Sequence, residues 1–222
     1  MQNLSTSVCT PQPFIVKTLG LSDYQATWQA MKDFTDSRNE QTRDEIWLLQ
    51  HPPVFTQGIA GKPEHLLHDH GIAVVKTDRG GQITYHGPGQ IIAYLLLDIR
   101  RLKLGVRELV RLMENAVIGL LDDYCVKAAG RIEAPGVYVG NAKIASLGLK
   151  IRKNFCYHGI ALNVDMDLTP FSYINPCGYQ GLQVTQTKNL GIPDGVDILS
   201  AKLANQLQEK LLTKRLTEQH DH

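Results

Sequence analysis

The chain is poor in features that would assign it to a specialised class. It has only four cysteines in 222 residues, Cys9, Cys125, Cys156 and Cys177, and no two form a CxxC pair. That argues against a disulfide framework and against a structural zinc site built from ligand pairs. No apolar run exceeds "IIAYLLLDI", nine residues, far short of a bilayer span. The opening "MQNLSTSVCT" lacks a basic region followed by an apolar core, so it does not read as a signal peptide. The formal net charge of +1 supplies no field for nucleic acid, and no recognition signature for it is present. These absences leave a cytoplasmic, soluble, single-domain chain spanning residues 1–222, with polar, frayed ends at about 1–12 and 217–222.

What is present is an ordinary globular balance, 43% hydrophobic and 20% charged. Helical spacing predicts three helices. One covers about Ser22–Asp36, capped by Ser22, with Tyr24, Trp28, Met31 and Thr35 along one side. The second covers about Val106–Tyr124, with Leu109, Met113, Val117, Leu120 and Tyr124. The third covers about Asp197–Leu216, with Leu199, Leu203, Leu207 and Leu211. These stripes read as core. "IWLLQ", "IAVVKT" and "IIAYLLLDI" read as buried strands, and "FCYHGIALNV" as another. "VYVGNAKIASLGLKIR" reads as two strands turning at Gly140-Asn141. The hairpin-like connections favour a mixed sheet.

Four short stretches stand out. "RGGQITYHGPGQ", Arg79–Gln90, reads as a loop with four glycines and a proline and no acidic residue. Glycines let backbone approach a ligand closely, although a plain turn is the alternative. It is neither a P-loop nor a dinucleotide fingerprint. Lys143 is the one charged residue on an otherwise apolar strand face with Ala145, Leu147, Leu149 and Ile151, provided that Gly148 makes no bulge. It either snorkels to water or is desolvated, with a lowered pKa suited to proton transfer. In "INPCG", Cys177 sits at the tip of a turn, either as a small filler or as a nucleophile. A free thiol is only about 3% thiolate at pH 7, which a neighbouring ammonium would raise. "YHGIALNV" places Gly159 and Ala161 on one face and His158, Ile160 and Leu162 on the other. The remaining cluster "HLLHDH" (His65, His68, His70) has no supporting carboxylates at recognisable spacing and reads as a solvated loop, so no metal is expected.

In this order, "RGGQITYHGPGQ", "AKIASLG", "HGIALN" and "INPCG" resemble the lipoyl(octanoyl) transferases, from about Asp44 to Gly191. The resemblance implies an α/β fold of the biotin/lipoate protein ligase type, with a large mixed sheet, a smaller one and flanking helices. It implies transfer of an octanoyl group from acyl carrier protein to a lysine of a lipoyl domain, without a cofactor. The acceptors would be lipoyl domains of 2-oxoacid dehydrogenase complexes and the glycine cleavage H protein. Cys177 would be the nucleophile, held as a thioester, and Lys143 the residue that lowers its pKa and moves protons. Arg79, Gly80, Gly81, Gln82, Ile83, Thr84, Tyr85 and His86 would form a substrate-binding wall. Ser146, Leu147 and Gly148 would join it, with Gly159, Ile160 and Ala161. Backbone N–H groups near Cys177 would hold the oxyanion. Acyl carrier proteins are acidic, so the basic residues Arg100, Arg101, Lys103, Arg107 and Arg111 are candidates for docking the donor. No further subunit is required, and a monomer is expected. The alternatives are an octanoyl amidotransferase between lipoyl domains, an ATP-dependent lipoate or biotin ligase, and a non-catalytic acyl-binding module.

Overall fold

The structure is a computed structural model that describes residues 14–220, apart from the side chains of 177 and 215–220. Cys9 and the expected frayed N-terminus lie outside the described residues. In chain order the elements are β1 (Phe14–Leu21), α1 (Tyr24–Ser37), β2 (Asp44–Gln50), β3 (Val54–Gln57), β4 (Ala73–Lys76) and β5 (Ile83–His86). They continue with β6 (Gln90–Asp98), α2 (Val106–Asp122), β7 (Ala129–Gly130), β8 (Gly136–Val139), β9 (Ala142–Arg152), β10 (Phe155–Asn163) and α3 (Val196–His220).

Seven strands form one sheet in the order β1-β2-β6-β10-β9-β8-β7, and β4-β3-β5 form a second, smaller sheet. Two pairs are parallel, β1 with β2 and β3 with β4, and the others are antiparallel. This is the mixed α/β arrangement expected from the hairpin connections.

The large sheet is apolar on both faces, and each face has its own cover. On one side Leu95, Leu97, Ile160 and Leu162 pack under α2 and α3. Every residue of the two stripes Leu109-Met113-Val117-Leu120 and Leu199-Leu203-Leu207-Leu211 is fully buried there. On the other side Ile92, Tyr94, Leu96 and Ala161 meet Met31 and Trp28 of α1. Because both faces of β6 are covered, all nine of its residues are buried, which is why it reads as a continuous apolar run.

Some expectations shift. The N-cap of α1 is Asp23, whose Oδ1 accepts from Ala26 N at 2.9 Å, while the Ser22 hydroxyl donates to Leu19 O. Of β4 only Val75 is buried, because the strand lies at the edge of the small sheet. The backbone of α3 stays helical to His220, past the point where polar composition suggested fraying.

One charged knot ties the far end of the large sheet together. Asp44 is buried and accepts from Arg38 Nη2 (2.5 Å), Arg101 Nη2 (2.7 Å) and Asp98 N (2.8 Å). Arg101 also donates to the carbonyls of Glu40 and Thr42, so this residue serves the fold. Removing the carboxylate strands the Arg38 guanidinium, itself 1% exposed. Asp44→Ala should therefore lose about 3–5 kcal/mol in urea unfolding. An unchanged midpoint would show that the knot is energetically idle.

Candidate active site

The site begins with a break in the β8–β9 pairing. Val137 pairs with Ala145 but Tyr138 pairs with Lys143, so Ile144 is an extra residue. Such a bulge sends two successive side chains to one face. Ile144 and Ala145 both enter the core under α2. Lys143 is thereby moved to the face of its partner Tyr138 and of Ser146. It does not share the face of Ala145, Leu147 and Leu149, and the break is at Ile144, not at Gly148. Nor does it snorkel: it is 2% exposed, with Nζ donating to Pro135 O (3.0 Å) and lying 5.4 Å from the Tyr138 ring centre. Gly136, with φ near 150°, leaves it room, since a Cβ there would come within 2.5 Å of Lys143 Cε.

Main-chain bonds bring the cysteine-bearing turn to the same region. Lys143 N donates to Gln183 O, and Thr185 N donates to Lys143 O (2.8 and 2.9 Å), tying β9 to the segment that follows Pro176–Gly178. Asn175 N donates to His65 O on the other side of the turn. Gly178 faces Gln82 and His65, each within about 3.5 Å of where its Cβ would stand. The Cys177 side chain, and with it the expected pairing with Lys143, lies outside the described residues.

Gln82 belongs to the glycine-rich stretch, which is only partly loop: Ile83–His86 is strand β5 of the small sheet. Gly80 N donates to Leu149 O (2.9 Å), fastening the loop to β9. Between the two sheets lies a narrow cleft. Twelve of the fourteen substrate-wall residues border it: Arg79, Gly81, Gln82, Ile83, Thr84 and His86, then Ser146, Leu147, Gly148, Gly159, Ile160 and Ala161. Gly80 lines the adjoining outer groove, shared with Gly178 and Tyr179. Tyr85 is the exception: strand alternation turns it away, against Phe55 and Phe171.

Sequence reasoning missed the inner end. Tyr24, Ile92, Tyr94 and His158 also line the cleft. From its spacing Tyr24 reads only as part of the core stripe of α1. His158 has a left-handed backbone (φ 67°) and turns to Asp78, not to the face of Ile160 and Leu162. Gly159 answers that twist: a Cβ on it would run into Ala93 O at 2.1 Å.

The polar groups around this inner end satisfy one another. Arg79 donates to Thr56 O and Oγ1 (2.6 and 2.9 Å). The Thr56 hydroxyl, already an acceptor, donates to His86 Nε2, so His86 Nδ1–H donates to Gln90 Oε1 (3.2 and 2.8 Å). Gln90 Nε2 donates to Asn163 Oδ1, and Asn163 Nδ2 to Thr185 O, beside Lys143. His51 Nδ1–H donates to Ser22 O, leaving Nε2 to accept from the Tyr94 hydroxyl (2.6 and 2.8 Å). Both imidazoles are thus neutral. Burial pushes His51 down to about 4 and His86 down to about 3. His158 is also lowered by burial, against the pull of Asp78. Burial would raise Asp78, but donors from His158, Tyr157 and Trp28 hold it well below the usual carboxylate range. Among the described residues no three His, Cys, Asp or Glu side chains stand together to hold a metal ion.

A large mixed sheet and a small one, with a cleft between them, define an α/β fold shared with lipoate and biotin protein ligases. The crystal structure of a lipoate-protein ligase A bound with ATP superposes with a TM-score of 0.75 at 16% identity, over 89% of this chain and 85% of that one. Biotin protein ligase from Aquifex aeolicus gives 0.54 at 11%, over 91% and 70%. The chain belongs to the lipoyl protein ligase A/B catalytic domain family, whose model matches residues 23–221. An octanoyltransferase from Nitrosospira multiformis is 67% identical over 201 residues, 90% of this chain and 94% of that one.

The buried histidines make stability depend on pH. Their folded pKa values lie below the ordinary 6.5, so the unfolded chain binds more protons as pH falls from about 6.5 to 4. Stability present above pH 6.5 is lost across that window, on the order of 3 kcal/mol for His51. His51→Gln should flatten the fall of the melting temperature with pH between 6.5 and 4. A slope equal to that of the unsubstituted protein would contradict the assignment.

Proposed function

We propose that this enzyme transfers an octanoyl group from acyl carrier protein to a lysine of lipoyl-domain proteins, through a thioester on Cys177. Octanoyl transfer in lipoate biosynthesis rests on the family and on octanoyltransferases as relatives at high identity. The observation that carries the mechanism is the position of the Pro176–Gly178 turn. It abuts Gln82 where the outer groove meets the apolar cleft, and the bulge has turned buried Lys143 to the face of Ser146.

In the first step the Cys177 thiolate attacks the thioester carbonyl of the donor. The tetrahedral oxyanion collapses, the donor thiolate leaves and takes a proton, and the octanoyl chain stays on Sγ. In the second step the acceptor amine attacks that thioester, Sγ leaves as thiolate, and the amine loses a proton as the amide forms. Dividing the transfer in this way makes each barrier smaller. Lys143 is the group that carries protons between steps and favours the thiolate by its charge. Thioester exchange is nearly balanced and amide formation runs downhill, so no nucleotide is needed.

The donor docks beside α2. Val106 and Val110 of that helix line the outer groove with Gly178, and Arg107 and Arg111 stand exposed one position further round. Within the basic segment Arg101 is engaged with Asp44, and Arg107 and Arg111 are the two on α2 next to the groove-lining valines. The acceptors are the lipoyl domains of 2-oxoacid dehydrogenase complexes and the glycine cleavage H protein, and the enzyme works as a cytoplasmic monomer.

Intact-protein mass spectrometry after brief exposure to octanoyl-acyl carrier protein without ATP should show one octanoyl adduct, absent in Cys177→Ser and discharged on adding a lipoyl domain. Equal acceptor labelling by the serine variant would rule the thioester out. Lys143→Met should lower kcat by about 10²–10⁴-fold. Arg107→Glu with Arg111→Glu should raise KM for the carrier severalfold, most at low salt. An unchanged, salt-independent KM would place the donor elsewhere.

A further inference from the structure

We infer that Ile92 and Tyr94 of β6 form the stop that sets the length of acyl chain accepted, a reading that rests on the cleft being the acyl slot. The argument comes from strand register. Across the face that lines the cleft, Gly148 of β9 pairs with Gly159 of β10, and Gly159 with Tyr94 of β6. In the next row Ser146 pairs with Ala161, and Ala161 with Ile92. Two adjacent strands therefore offer nothing larger than Ser or Ala, and the third offers a branched chain and a ring.

The direction of the slot is set by its mouth. Gly148 borders both the cleft and the outer groove that contains Gly178, so the chain enters from the β9 side. It crosses β9 and β10 and meets β6. Two strand spacings amount to about 10 Å. Seven C–C bonds of about 1.5 Å in zigzag, the length of an octanoyl chain, span roughly 9 Å. The lengths agree. Behind the stop, Leu49 and Trp47 of β2 pair with Ile92 and Tyr94 and are themselves buried. The stop is also stiff: the Tyr94 hydroxyl is held by His51, and Ile92 is 1% exposed.

The test compares acyl carrier protein charged with C6, C8, C10 and C12 chains, measuring kcat/KM for transfer to a lipoyl domain. The unsubstituted enzyme should prefer C8 over C10 by about tenfold or more, the discrimination one or two methylenes give in an apolar pocket. Ile92→Ala should raise the C10-to-C8 ratio by about tenfold, and Ile92→Val should move it the same way by less. If Ile92→Ala does not fold, by circular dichroism, the milder Ile92→Val decides. A ratio unchanged in the folded variants, including a uniform loss across all lengths, would overturn the stop while leaving the transferase reading intact. If the unsubstituted enzyme transfers no chain length, the reading of the cleft as an acyl slot falls, and the stop with it.

Discussion

The site depends on one extra residue in a strand. Without Ile144 looping out of register, strict alternation would put Lys143 on the face that packs under α2, where Ala145 and Leu147 lie. An ammonium there would be buried among apolar side chains, at a cost of about several kcal/mol. The bulge converts that into a buried position against Pro135 O and the Tyr138 ring, on the face of Ser146. It does so without disturbing the rest of β9, whose pairing with β10 runs unbroken from Ala145 to Arg152. Main-chain bonds from the same residue to Gln183 and Thr185 then fasten the segment leading away from Cys177. Side-chain placement and turn placement thus share a single origin.

A second twist, at His158, completes the opposite wall. Its left-handed backbone lets Tyr157 and His158 both reach Asp78, which also receives Trp28 from α1. One carboxylate therefore joins the helix, the large sheet and the start of the glycine-rich loop. Strain of this kind costs on the order of 1–3 kcal/mol and persists only where the surroundings over-determine it. Three donors to one carboxylate do that, and Gly159 next in line absorbs the displacement because it has no Cβ to press on Ala93.

How legible all this was depends on the kind of interaction. The stripes of α2 and α3 could be read because burial repeats with the helix period over about three turns. The Gly140-Asn141 hairpin could be read because turn chemistry is local. Ile72–Thr77 could not, since an apolar run looks the same in a covered strand and at the edge of a small sheet. The stretch Arg79–Gln90 looked like a loop because its glycines hid Ile83–His86, a strand only four residues long. The expected wall residues come from family motifs and not from periodicity, and Tyr85 packs against Phe55 and Phe171. Tyr24, Ile92 and Tyr94 carried no signal of their own: a cleft-lining aromatic and a core aromatic obey the same pattern. The bulge was half visible, in that a glycine drew attention to phase in β9, but register is decided by pairing with β8 and cannot be seen along one strand.

The inner end of the cleft is built from polar residues and yet serves as an apolar surface. Arg79, Thr56, His86, Gln90 and Asn163 exchange donors and acceptors in a closed series, and His51 with Tyr94 form a second. These groups bond largely to one another, and the surface toward the cleft is mostly apolar. The arrangement works only while the imidazoles are neutral. A proton on His51 Nε2 would displace the Tyr94 hydroxyl, and one on His86 Nε2 would oppose Thr56 and sit near the Arg79 charge. Burial prevents both at neutral pH by the same desolvation that destabilises the fold in acid. Acid sensitivity and the neutral imidazoles along the cleft are therefore one free-energy term seen from two sides.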